Sequence, residues 1–104
     1  MGLNREYALS SVGEGWSDLI NYLYDNKPDD VVVTDVKEKY GTLRFYVVSC
    51  SEEFYKLIDE VEERSAAICE TCGEPGETRF DLGWYKTLCD SCYNNLVEYL
   101  EISE

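Results

Sequence analysis

In "GWSDLINYLYDN", Trp16, Leu19, Ile20 and Leu23 fall at i, i+3, i+4 and i+7, which places four apolar side chains on one stripe of a short amphipathic helix. The dozen residues before it carry no clear periodicity, and Gly13 and Gly15 bracket a turn at its start. Pro28 in "NKPDD" ends the helix, because proline cannot continue it and disfavours helical geometry at Lys27. The pattern then changes. "VVVTDVKEKYGTLRFYVV" is rich in β-branched and aromatic residues, and Gly41 divides it into two runs of strand length. It predicts a β-hairpin in which residues 31–40 pair with 43–48 around Tyr40-Gly41-Thr42. Leu43, Phe45 and Val47 alternate with Arg44, Tyr46 and Val48, so one face packs inward and the other stays mixed. Tyr40, Phe45 and Tyr46 cannot all face one core across a two-stranded ribbon. At least one aromatic ring is therefore expected to be exposed beside Lys37, Lys39 and Arg44.

Ser51 can cap the next helix, with Glu52 and Glu53 in its first turn where the helix dipole favours negative charge. Phe54, Leu57, Ile58, Val61, Ser65 and Ile68 then follow a helical stripe for more than four turns, the longest in the chain. That helix is expected to lie across the hairpin and to lead Ile68 directly into a cysteine pair. Glu53, Asp59, Glu60, Glu62 and Glu63 lie largely outside the stripe and are expected to face water.

Cys69 and Cys72 form one Cys-x-x-Cys pair, and Cys89 and Cys92 form another, with sixteen residues between them. Such a loop brings two thiolates to adjacent vertices of a tetrahedron, and two loops complete a zinc shell at Zn–S distances of about 2.3 Å. Gly73 can turn its backbone so that amide N–H groups face the sulfurs, and Pro75-Gly76 suits a tight turn. Residues 78–88 leave room for a small hairpin carrying Phe80, Trp84 and Tyr85. Cys92, Tyr93, Leu96, Val97 and Leu100 have helical spacing, so the second pair sits at a helix start. Knuckle, hairpin, then helix is the treble-clef order. A thioredoxin-type redox pair is the rival reading, but the chain has two pairs and no βαβ context. Cys50 stands apart and reads as a small buried hydrophobe.

Length and composition narrow the class. At 104 residues the chain has the size of one domain. The expected fold is α+β: a single domain over 1–104, with a helix, hairpin and helix portion in 1–68 and a zinc-finger portion in 69–104. No leader and no apolar run of membrane-spanning length is evident, so a soluble cytoplasmic protein with no membrane partner is expected. Five cysteines, an odd number, fit a disulfide framework poorly in that reducing compartment. With no histidine in the chain there is no imidazole for Ser-His-Asp or Cys-His catalysis, and four thiolates leave no open metal position for an activated water. One structural Zn2+ and no catalytic residues are expected.

Twenty-two acids against nine bases give a formal net charge of −13. Residues 1–30, 51–68 and 69–104 are each acidic, and only 31–50 reverses the sign, with Lys37, Lys39 and Arg44 against Asp35 and Glu38. Such a surface repels phosphates, so direct nucleic-acid binding is not expected, and the partner should be a protein with a basic surface. Solubility alone is the plainer account of the charge.

Two stretches carry resemblances. "GWSDLI", "DVKEKYGTLRFY", "ICETCGEPGETRF" and "GWYKTLCDSC" together resemble a family of small zinc-finger proteins encoded in phage and prophage genomes. Separately, "CETCGEPGETRF" with "TLCDSC", residues 69–92, resembles the zinc finger of the DksA/TraR-like regulators that bind RNA polymerase; their acid-tipped helical hairpin has no counterpart upstream. The phage resemblance and the charge together imply an accessory protein that binds and inhibits a host protein. Anti-CRISPR or other anti-defence activity, through acidic mimicry of nucleic acid, would be its sharpest form. Glu53, Glu60 and Glu63 on the long helix, with Arg44 and Tyr46 on the hairpin, are the candidate partner-binding residues. The alternative is a zinc-finger transcriptional regulator that touches polymerase or nucleic acid through the finger and the basic hairpin.

Overall fold

The computed structural model describes residues 2–48 and 51–102, so the reading of Cys50 lies outside the described residues. Along the chain come helix α1 (Arg5–Ser10), a 3-10 turn (Glu14–Trp16), helix α2 (Ser17–Asn26), strands β1 (Val32–Lys39) and β2 (Thr42–Val48), and helix α3 (Glu52–Ser65). A smaller hairpin of β3 (Glu77–Arg79) and β4 (Lys86–Leu88) follows, then helix α4 (Asp90–Ile102). This is the expected α+β arrangement, with a β-hairpin, helices and a C-terminal cluster of four cysteines.

Helix α1 lies where no periodicity could be read. Six residues are too few for a stripe, and only Ala8 is buried; the Asn4 side chain starts the helix by accepting the Tyr7 N–H at 2.7 Å. Helix α2 follows its pattern, with Leu19, Ile20 and Leu23 buried alongside Trp16, and Lys27 is extended before Pro28.

Tyr40 (φ 55°) and Gly41 (φ 82°) both have left-handed backbone, the requirement of a two-residue type I′ turn, whose twist matches antiparallel strands. Thr42 therefore belongs to β2, opposite Lys39, and not to the turn. At the other end Val33 pairs with Val47 but Asp35 pairs with Tyr46, which leaves Thr34 as a bulge. The extra residue shifts the alternation, so Val31, Val33 and Val36 are the β1-side residues that enter the core. Leu43 and Phe45 join them from β2, while Tyr40 and Tyr46 are exposed beside Lys37 and Lys39.

Phe54, Ile58 and Val61 bury the predicted stripe of α3 against this sheet. The helix also closes the free edge of β2. Ser65 Oγ accepts the Leu43 N–H at 2.8 Å and Glu62 Oε2 accepts the Phe45 N–H at 2.8 Å, one helical turn apart. An edge strand left bare would be a template for unwanted pairing. Glu62 is consequently half-buried, which corrects its expected place on the solvated face. The edge of β1 is met by the N-terminal segment, where the Leu3 N–H donates to the Val33 carbonyl at 2.8 Å. Helix α3 ends at Ser65, short of Ile68. Residues 66–68 continue in turn-type bonds, and Ile68 bridges to Pro75.

Candidate metal centre

The first cysteine pair sits on a knuckle closed by its own backbone. The Gly73 N–H reaches the Cys69 carbonyl at 2.9 Å, a geometry that uses left-handed φ at Gly73 (87°), and the Cys69 N–H donates to the Glu74 carbonyl at 2.7 Å. Pro75-Gly76 makes no tight turn. Pro75 is extended in the bridge to Ile68, and the Gly76 N–H donates to the Ala67 carbonyl at 2.9 Å.

The second pair opens α4. Cys89 is the residue before the helix: its carbonyl accepts the Tyr93 N–H at 2.9 Å and its sulfur accepts the Cys92 N–H at 3.4 Å, the role an Asp or Ser oxygen plays at other helix starts. All four sulfurs lie within 4.8 Å of one another, with Cys72 and Cys89 Sγ 3.6 Å apart. A tetrahedron with metal–sulfur distances of about 2.3 Å has edges of about 3.8 Å, so this group could hold a metal ion with little adjustment. Four thiolates in that geometry suit zinc or iron.

Burial opposes ionisation of Cys69, but the amides of Cys89, Cys72 and Thr71 overcome it and hold the thiol at about 6. For Cys72 the Glu74 amide lowers the value, yet burial and the sulfurs of Cys89 and Cys69 together leave it raised. Burial and then the neighbouring sulfurs raise Cys92. Negative charge is thus favoured on Cys69, while Cys72 and Cys92 hold their protons more tightly. A divalent ion supplies the charge that lets all four ionise.

The centre is braced by residues whose part the sequence did not disclose. Trp16 Nε1 donates to the Ile68 carbonyl at 2.9 Å, and the Gly15 N–H donates to the Glu70 carbonyl at 2.9 Å, so the 3-10 turn is bolted to the knuckle. Glu70, inside the first pair, is buried and takes Lys86 Nζ at 2.5 Å. Thr87, fully buried, donates its hydroxyl to the Gly41 carbonyl at 2.5 Å. A carbonyl only accepts, so the Thr78 hydroxyl, 2.8 Å from that of Thr87, must be the donor between those two. This relay ties the first hairpin's tip to the second hairpin. Arg79 reaches the Leu88 carbonyl at 3.0 Å and Asp90 at 2.8 Å, and stacks on Tyr93 at 4.4 Å, pinning β3 to the start of α4.

Of the residues expected to meet a partner, Glu53, Glu60 and Glu63 are exposed on α3, as is Asp59. Tyr46 is exposed with Lys37 Nζ 5.5 Å from its ring centroid. Arg44 is half-buried opposite Lys37, and its Nε is enclosed with no hydrogen-bond partner among the described residues. Among the described residues no helix is long and apolar enough to cross a membrane. No family model, curated protein or solved structure matches the chain.

Proposed function

We propose that the protein is a non-catalytic binding protein, its C-terminal third organised by one structural zinc ion, that occupies a basic surface of another protein where nucleic-acid phosphates would otherwise lie. The observation that carries this reading is the outer face of α3. Five exposed acids, Glu52, Glu53, Asp59, Glu60 and Glu63, stand there against two exposed bases, Lys56 and Arg64, on a chain of net charge −13. Such a field speeds docking to a lysine- and arginine-lined groove, and the docking weakens with salt. Zinc suits a shell of four thiolates with no fifth ligand grouped with them among the described residues, and a closed shell with no histidine in the chain supports a structural role over catalysis. The resemblance to phage-encoded proteins makes inhibition of a host defence effector, anti-CRISPR activity included, the sharpest form of the proposal. Regulation through nucleic acid is less favoured, because Arg44 is half-buried and Lys37 lies 3.7 Å from Asp35.

The metal and the partner are tested separately. Elemental analysis of anaerobically purified protein should return one zinc per chain, and Cys69→Ser or Cys92→Ser should release it and unfold the C-terminal third; protein free of stoichiometric metal would remove the zinc. A tagged pull-down identifies the partner. Reversing Glu53, Glu60 and Glu63 to lysine in folded, zinc-loaded protein should then abolish inhibition of that partner. Inhibition that persists and ignores ionic strength would return the acidity to solubility.

A further inference from the structure

We propose that the tips of the two hairpins form a receptor for an arginine side chain presented by a basic partner segment. The inference rests on the reading above of a basic protein partner, and deepens it to a residue type and a place on the surface.

Four large rings stand in water there: Tyr40 from the first tip and Phe80, Trp84 and Tyr85 from the second, exposed by 61, 68, 48 and 43%. Tyr85 is the hinge of the group. It meets Tyr40 edge to face at 5.6 Å and 72°, and Phe80 at 5.1 Å and 84°. Tyr40, Phe80 and Tyr85 line one recess, and an adjoining recess is lined by Glu38, Lys39, Tyr40, Gly83, Trp84 and Tyr85. The tips are built to stay together, since the buried Thr87 hydroxyl holds the Gly41 carbonyl and a Cβ on Gly41 would lie 3.0 Å from the Thr78 methyl. A contiguous exposed aromatic patch on a rigid frame is a recognition feature and contributes nothing to the core.

The chemistry of the patch selects a cation. Ring faces carry negative charge, and rings set at near right angles offer several such faces to one ligand. Lys39 Nζ already lies 5.5 Å from the Tyr40 centroid, and the chain's net charge draws more cations in. Arginine fits better than lysine. Its weakly hydrated planar guanidinium stacks flat on a ring and still presents N–H donors along its edge. Glu38 stands at the rim to receive them: one of its oxygens takes the Gly41 N–H at 2.8 Å, which orients the carboxylate and leaves acceptor capacity free. The same carboxylate disfavours a nucleic-acid strand, whose bases could otherwise stack here.

The test uses the zinc-loaded full chain with three labelled probes: an arginine homopeptide, a lysine homopeptide of equal length and an oligothymidylate. The arginine peptide should bind about tenfold more tightly than the lysine peptide, the size of one well-formed cation–π contact with its hydrogen bond. Tyr85→Ala and Trp84→Ala, both at exposed positions, should remove that preference, weakening the arginine peptide more than the lysine peptide. Lys39→Ala should tighten the arginine peptide, because a competing cation is gone. Reversing Glu53, Glu60 and Glu63 should weaken both peptides alike and preserve their ratio, so failure of the acidic-surface reading and failure of this one are read from different numbers. Equal affinity for the two peptides overturns the proposal, as does a preference that survives the ring substitutions. Oligothymidylate binding that exceeds both peptides and falls in Lys39→Ala overturns it in favour of a base-stacking platform.

Discussion

Replacing Gly15 by alanine adds one methyl group where the 3-10 turn meets the metal knuckle. An ideal Cβ at that position lies 1.9 Å from the Cys69 carbonyl oxygen, 2.6 Å from the Glu70 carbonyl carbon and 2.7 Å from the Gly73 nitrogen. All three are backbone atoms, so no side chain can rotate away, and the two segments must part by about 1.5 Å to reach ordinary contact. Two hydrogen bonds span the same gap, from the Gly15 N–H to the Glu70 carbonyl and from Trp16 Nε1 to the Ile68 carbonyl, each 2.9 Å, and a separation of that size breaks them. Overpacking contributes about 1–3 kcal/mol and each lost bond about 1 kcal/mol, so Gly15→Ala should destabilise the metal-loaded protein by about 3–5 kcal/mol. The displaced loop carries Cys69 and Cys72, so metal affinity should fall with stability. Urea unfolding and competition against a chromophoric chelator measure the two effects. Gly83→Ala is the control. Its φ of 90° strains a side chain, but no atom of the described residues lies within 4 Å of an added Cβ, so the cost should be about 1–2 kcal/mol with metal affinity unchanged. Wild-type stability and metal affinity in Gly15→Ala, or an equal loss in Gly83→Ala, would refute the argument.

Thr87→Val keeps the shape of a fully buried side chain but strands the Gly41 carbonyl and the Thr78 hydroxyl; it should cost about 1–3 kcal/mol, and a loss within error by chemical denaturation would show that the relay does not couple the hairpins. Glu62 should give a pH signature. Burial raises its carboxyl above the ordinary 4.5, against the pull of the Phe45 amide and Arg44, so the native state binds the proton more tightly than the unfolded one. Its contribution is therefore present below about pH 4.5 and is lost as pH rises through the folded value. Glu62→Gln keeps an oxygen for the Phe45 N–H without ionising, so its stability relative to wild type should improve as pH rises over that window, and a pH-independent difference would contradict the assignment.

Elements specified by neighbours a few residues away were legible in the chain itself. The α2 and α3 stripes, the proline after α2, the hairpin about Gly41 and the two cysteine pairs each depend on spacings of two to four residues, which backbone periodicity and tetrahedral geometry impose locally. Whatever depends on a partner far along the chain was not legible. Glu62 reads as one more acid on a solvated face until β2 puts the Phe45 N–H 2.8 Å from it, and Ser65 as a weak member of an apolar stripe until it receives the Leu43 N–H. Gly13 and Gly15 read as turn formers, whereas packing against Cys69 and Glu70, more than fifty residues on, is what excludes a side chain there. Thr34 as a bulge, and Thr87 as the bolt between hairpins, follow from the same cause. Buried backbone groups must be paired, and which side chain pairs them is decided only when segments distant in sequence are brought together.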